Sequence, residues 1–261
     1  MKRASPIREL FDYRDFLLNL TVAELKLRYR DSLLGFLWTV LNPLFYLLIL
    51  SAVFSLIIRF QVPDYPIFLF SGLVSWLMIQ QTVTIATASV VNNQAFLRKV
   101  YVPKLAFPVS NVLARYTDHL ILVLILLVFL AVRGAPFTWS LAFLPVAVAM
   151  HFFFSLGLSL LCAVAYIKIR DTQHVVAIVF QALFYATPVL YPLSLVPDRY
   201  RALFRWNPFS YFVEMLRYPV YEGRFPPGRL VLTAAGLSLA VFVLGLWTFL
   251  RKDKYFVFHL S

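Results

Sequence analysis

Leu105 to Val132 reads L-A-F-P-V-S-N-V-L-A-R-Y-T-D-H-L-I-L-V-L-I-L-L-V-F-L-A-V, and its second half, from Ile121 to Leu130, is an unbroken apolar run. Such a run is continuous rather than alternating, which specifies a helix and not a barrel strand. At 1.5 Å per residue the stretch is long enough to cross a hydrocarbon core of about 30 Å. Five more stretches share this character: Leu33 to Ile58, Pro66 to Val91, Phe137 to Ile167, Val175 to Leu195 and Leu230 to Leu250. The expected fold is therefore all-α and integral to a membrane, with six transmembrane helices.

The rest of the composition agrees. Hydrophobic residues make up 61% of the 261, charged residues only 14%, and the mean hydropathy is +0.79; these values exclude a soluble domain of this size. The single transmembrane domain, 1–261, divides into an N-terminal cytoplasmic region (1–32), a six-span bundle (33–250) and a cytoplasmic tail (251–261). The apolar segment Phe16 to Val22 is interrupted by Asn19, so it is not the core of a cleavable signal peptide, and the first span is expected to direct its own insertion. Cys162 is the only cysteine and forms no intrachain disulfide.

Lysine and arginine concentrate in alternate connections. Lys2, Arg3, Arg8, Arg14, Lys26, Arg28 and Arg30, then Arg98, Lys99 and Lys104, then Lys168 and Arg170, then Arg251, Lys252 and Lys254 all fall on one side, against Arg59 and Arg133 in the short opposite connections. The long fifth connection adds Arg199, Arg201, Arg205, Arg217, Arg224 and Arg229 to the opposite side, which weakens the contrast but counts for less than short juxtamembrane loops. That asymmetry puts both termini in the cytoplasm. The formal charge of +12 needs no nucleic acid, because anionic lipids attract such residues by about 1 kcal/mol each.

Within 1–32, Phe16, Leu20, Ala23 and Leu27 recur at helical spacing, while Glu24, Lys26, Arg28, Tyr29 and Arg30 complete an amphipathic interfacial helix, either a membrane collar or a partner's docking surface. Between the second and third spans, F-L-R-K-V-Y-V-P-K carries Phe96, Leu97, Arg98, Lys99, Val100, Tyr101 and Pro103. Phe96, Leu97, Val100 and Tyr101 fall on one stripe of a short helix that Pro103 stops; an exposed apolar stripe there marks a partner or lipid contact.

Arg115, Asp118 and His119 stand three and four residues apart on the third span. Charges at a helix centre cost about 2.5 to 3.5 kcal/mol each, against a return of about 0.3 to 0.6 kcal/mol per apolar residue, so an internally paired cluster is expected in preference to a proton relay. His119, His151, His174 and His259 lack the spacing of a metal site. In the fifth span Pro188 is expected to kink the helix. The segment Pro197 to Tyr221, divided by Asn207-Pro208, holds two pieces too short and too charged to span, which suggests an outer re-entrant helical hairpin with Glu214 and Arg217 paired on its second arm. Trp38, Tyr46, Phe184, Tyr185 and Tyr191 sit in or at the ends of spans, as interfacial belts or as the aromatic wall of a conduit.

Three blocks in this order, R-Y-R-D-S-L-L-G-F-L-W-T-V-L-N-P-L from Arg28 to Leu44, F-L-R-K-V-Y-V-P-K from Phe96 to Lys104, and F-Y-A-T-P-V-L-Y-P followed by W-N-P-F-S-Y-F-V-E-M-L-R, resemble the permeases of type-2 ATP-binding-cassette exporters, in the branch that handles O-antigen, capsule or teichoic acid. The resemblance implies a non-enzymatic half-transporter of a bacterial inner membrane. Two copies as a homodimer work with two separate ATPase subunits, which bind ATP and Mg, to export a lipid-linked polysaccharide. It also implies ATPase coupling through Phe96 to Pro103, an adjoining interfacial helix at Thr21 to Asp31, and exit gating by Pro197 to Tyr221. Trp38, Tyr46, Phe184, Tyr185, Pro188, Tyr191, Asn207, Pro208, Glu214 and Arg217 are the conduit and gate candidates. Independently, no glycine is followed by lysine, so the chain lacks a Walker A motif. The rival classes are a membrane-embedded glycosyl or lipid transferase and an ion-coupled transporter of a small solute. The first needs converging carboxylates, and here they are scattered.

Overall fold

The computed structural model describes residues 6–30, 32–35, 37–57 and 61–252. Its helices are α1 (Pro6–Asp12), α2 (Arg14–Tyr29), α3 (Leu37–Ala52), α4 (Tyr65–Thr87), α5 (Ala106–Val132), α6 (Leu144–Lys168), α7 (Thr172–Ala186), α8 (Asp198–Trp206), α9 (Pro208–Val220) and α10 (Gly228–Lys252). No strand occurs among the described residues. Five segments are long and apolar enough to cross a membrane: Leu37–Leu56, Tyr65–Thr87, Ala106–Val132, Trp139–Lys168 and Gly228–Lys252.

The fifth expected span, Val175 to Leu195, is shorter than its hydropathy suggests. Helix α7 stops at Ala186 and measures about 22 Å at 1.5 Å per residue. Pro188 does not kink it. A proline disfavours helical geometry in the residue before it, and Thr187 is extended at φ −111° and ψ 140°, so the helix ends two residues upstream of the ring. The second span also closes early, at Thr87 rather than Val91. The Thr87 hydroxyl donates to the Val83 carbonyl and that of Ser89 to Ala86, side-chain bonds of the kind that compete with continued helix.

Helix α4 is the axis of the bundle. Leu69, Phe70, Val74, Met78 and Val83 on it are fully buried, and α5, α6 and α9 pack around it. Helices α6 and α10 run parallel and touch backbone to backbone. Ser238 donates to the Met150 carbonyl at 2.9 Å, and a Cβ at either Gly157 or Gly245 would overlap the facing helix, the small-residue crossing favoured between membrane helices. Helices α3 and α10 are mostly exposed, with Leu48, Ile49, Leu232 and Leu239 on the surface.

Cross-links between connections define two ends. At one, Arg133 pairs with Asp64 at 3.2 Å and the Tyr221 hydroxyl donates to the Pro63 carbonyl. At the other, the Tyr101 hydroxyl donates to Glu9, close to Lys104 and the C-terminal turn of α10. Lys168, Arg251 and Lys252, in the last turns of α6 and α10, make this second end basic.

Candidate functional site: a half-open membrane cavity

A cavity of about 1010 Å³ opens between α3, α4, α5 and α7. Residues Leu73 to Ile85 of α4 and Asn42 to Phe54 of the first span line it, a length of about 18 Å along either helix. Its wall is graded. Near the basic end stand Asn42, Gln81, Thr84 and Arg115, with Gln80 and Gln181 midway; near the other end stand Phe54, Trp76, Phe184 and Tyr185. The Trp76 indole N–H donates to Gln80 Oε1 at 3.0 Å. Since indole can only donate, the amide is oriented with its two N–H donors left for whatever enters. Neutral amides and hydroxyls beside aromatic faces suit a polar, uncharged chain with apolar ring faces.

Of the conduit candidates read from the sequence, Tyr46, Phe184 and Tyr185 line this cavity. Trp38 is exposed on α3, outside it. Tyr191 is turned away as well: its hydroxyl donates to the Tyr185 carbonyl at 2.5 Å and its ring lies against Phe204, so Tyr185 and Tyr191 do not share the cavity. Pro188, Asn207, Pro208, Glu214 and Arg217 instead form a knot beside the outer end. Asn207 accepts from the Phe209 N–H as helix cap, and its Nδ2 donates to the Ala186 carbonyl and to Thr187 Oγ1. Arg217, 2% exposed, binds Glu214 at 3.0 Å, donates to the Val189 carbonyl and lies 3.7 Å over the Phe68 ring. Tyr65 donates to the Leu190 carbonyl.

The intramembrane cluster is paired. Asp118 binds Arg28 of α2 closely and Arg115 at 3.6 Å, while His119 donates from Nε2 to Thr82 Oγ1 at 3.2 Å, because that hydroxyl's own proton goes to Met78. His151 donates from Nδ1 to the Ala147 carbonyl and accepts from Ser75.

At the basic end, Glu24 and Arg28 do not belong to an outward docking face. Glu24 accepts from Asn111 and Arg28 holds Asp118, both on α5; Lys26 and Arg30 are exposed. Tyr29 closes α2, and its side chain lies outside the described residues. Phe16 and Leu20 pack inward as expected, but Leu27 is exposed.

The expected helical stripe after the second span is not continuous. A one-turn helix, Gln94–Leu97, gives way to a turn and an irregular segment before Pro103, where the proline again excludes helix from the residue before it. Phe96 stacks on Phe16 at 5.9 Å, Leu97 is half-buried and Pro103 is buried, leaving Arg98, Lys99, Val100 and Tyr101 outward.

Sequence reasoning missed Asn42, Gln80, Gln81, Thr84 and Gln181. The signal was present: Gln80, Gln81 and Gln181 interrupt apolar runs, and polar residues within spans mark functional sites by default.

The model of the ABC-2 type transporter family matches residues 16–221. The chain belongs to that family. Among its relatives is an O-antigen export system permease protein RfbA of Myxococcus xanthus, 32% identical over 90% of this chain and 91% of its own length. A Klebsiella pneumoniae protein of the same designation is 29% identical over 86% and 90% of the two chains. The polysialic acid transport protein KpsM of Escherichia coli is 24% identical over 90% and 92%. Membership in a transporter family, with relatives designated permease or transport proteins, is consistent with a non-enzymatic transport role.

Proposed function

We propose that this chain is the membrane-spanning subunit of an ATP-driven exporter of lipid-linked polysaccharide, of the O-antigen, capsule or teichoic acid kind, in a bacterial inner membrane. The observation that carries this is the half-open cavity, whose amides and aromatic faces suit a sliding glycan, in a chain nearly coextensive with O-antigen and polysialic acid permeases. Two copies, their cavities facing, would enclose a conduit that one bundle leaves open. Helix α7 with the buried tail to Leu190 acts as a sixth, short span, which keeps both termini cytoplasmic. Helices α8 and α9 form the outer hairpin that gates the exit. Val100 and Tyr101, on the basic end with Arg98 and Lys99, meet the separate ATPase subunit that binds ATP and Mg.

Co-expression with candidate ATPase subunits tests this. One of them should co-purify with the permease, and its hydrolysis should rise on adding lipid-linked glycan. Gln80→Leu with Gln181→Leu should then lower glycan export severalfold at unchanged basal hydrolysis, since each removes hydrogen bonds worth about 1 kcal/mol. An export activity driven by an ion gradient without any ATPase would favour the small-solute carrier instead.

A further inference from the structure

We propose that the basic end of the cavity is an anion subsite built on Arg115, seating a phosphate or carboxylate group of the cargo while its sugars lie along the amides and rings beyond. This rests on the export function proposed above and adds to it a defined place for charge.

Among the described residues that line the cavity, Arg115 alone is formally charged. In a site walled by hydrocarbon the field of that guanidinium is poorly screened. Asp118, behind the wall and almost wholly buried, contacts Arg28 more closely than Arg115; two guanidiniums share its carboxylate, which holds Arg115 in place from behind. A guanidinium fork matches phosphate and carboxylate oxygens two at a time, as an ammonium does not.

Neutral donors surround the place where such an anion would sit. The bond between Thr82 and His119 sets antiparallel α4 level with α5, so Thr84 and Gln81 lie about 3 and about 7.5 Å outward of the level of Arg115, along the cavity it opens into. Asn42 approaches from α3. Arg115 lies nine residues into α5 from Ala106, about 14 Å along its axis, within reach of a lipid headgroup arriving from the basic end. Among the described residues the far end is lined by aromatic rings, so the anion seat lies at the Arg115 end and the polymer takes the rest. The shared chemistry is an anionic oxygen group, and it has two sources: the diphosphate of a polyprenyl carrier or an acidic sugar.

The test uses the full-length permease in nanodiscs of zwitterionic lipid, read by intrinsic tryptophan fluorescence, to which Trp76 in the wall contributes. The probes are a polyprenyl diphosphate, the uncharged polyprenol and an oligogalacturonide. The wild type should bind the diphosphate about tenfold or more tightly than the polyprenol, in keeping with a charge-assisted contact. Arg115→Gln should erase that preference and Arg115→Lys should keep part of it. Since removing Arg115 also disturbs Asp118, Gln81→Leu with Thr84→Val provides a variant of unchanged charge, which should weaken diphosphate binding severalfold at an unaltered melting temperature. Arg115-dependent binding of the oligogalacturonide alone would support the subsite and assign it to the glycan. If neither anion binds more tightly than polyprenol, or if Arg115→Gln changes neither affinity, the subsite is overturned. A wild-type complex that exports glycan but shows no anion preference would remove only the subsite, whereas a wild-type complex that binds anions but moves no glycan would remove the export function and leave the subsite standing.

Discussion

Arg217 of α9 fills the space that a side chain at Gly72 of α4 would need: a Cβ there would lie 2.7 Å from its Nη2. The glycine is thus matched to a buried guanidinium rather than to a turn. Gly72→Val should push Arg217 off the Phe68 ring and the Val189 carbonyl, and Arg217→Ala should strand Glu214. Removing one partner of a buried pair costs about 3 kcal/mol or more. Thermal melts of the purified protein should fall in both variants, and falling together with no further loss in the double variant would mark one shared interaction.

Asn207 does two jobs with two ends of one amide. Asn207→Asp should keep the cap on the Phe209 N–H while losing the donor to Ala186 and Thr187, and Asn207→Ala should lose both. The stability cost is expected to be about 1 kcal/mol for the cap, plus a similar amount for the lost donor. Hydrogen exchange at Phe209 should rise only in the alanine variant.

The two ends of the bundle should face opposite compartments. In a Cys162→Ser background, Glu222→Cys should react with a membrane-impermeant maleimide in intact cells. Lys99→Cys should react only after permeabilisation. Labelling of both from outside would overturn the assigned orientation.

Docking of the ATPase should depend on the outward residues of the 98–101 segment. Val100 and Tyr101 are 50% and 69% exposed, whereas Phe96, though 41% exposed, lies against the Phe16 and Phe107 rings and Leu97 packs against the core. Val100→Asp with Tyr101→Asp should abolish co-purification of the ATPase, since a charge placed in a desolvated contact costs several kcal/mol. Tyr101→Phe, which removes only the hydroxyl bonded to Glu9, should keep it, and membrane insertion is retained in both. Retained co-purification would place the contact elsewhere.

Long apolar runs made α4, α5, α6 and α10 legible in the sequence, and the i,i+3 spacing made the Glu214–Arg217 pair legible too. Helix ends were less so, because they depend on which carbonyl a serine, threonine or pre-proline residue takes. Asn207 bonding to Ala186 and Arg28 reaching Asp118, 90 residues away, are invisible to any local periodicity. The cavity wall was half legible: its aromatics stood out, but its amides are spread over three helices, Asn42 on α3, Gln80 and Gln81 on α4 and Gln181 on α7, and converge only when these pack.

Where α7 ends, three carbonyls are each taken by a side chain from elsewhere: that of Ala186, the exposed last residue of the helix, by Asn207, and those of buried Val189 and Leu190 by Arg217 and Tyr65. Unwound backbone out of reach of water is tolerated only when such partners are present, and each orphaned group would cost several kcal/mol. This tail therefore cannot loosen one bond at a time. It is a switchable splice: α9 must either carry the tail of α7 along as a single piece or exchange all three bonds for another complete set.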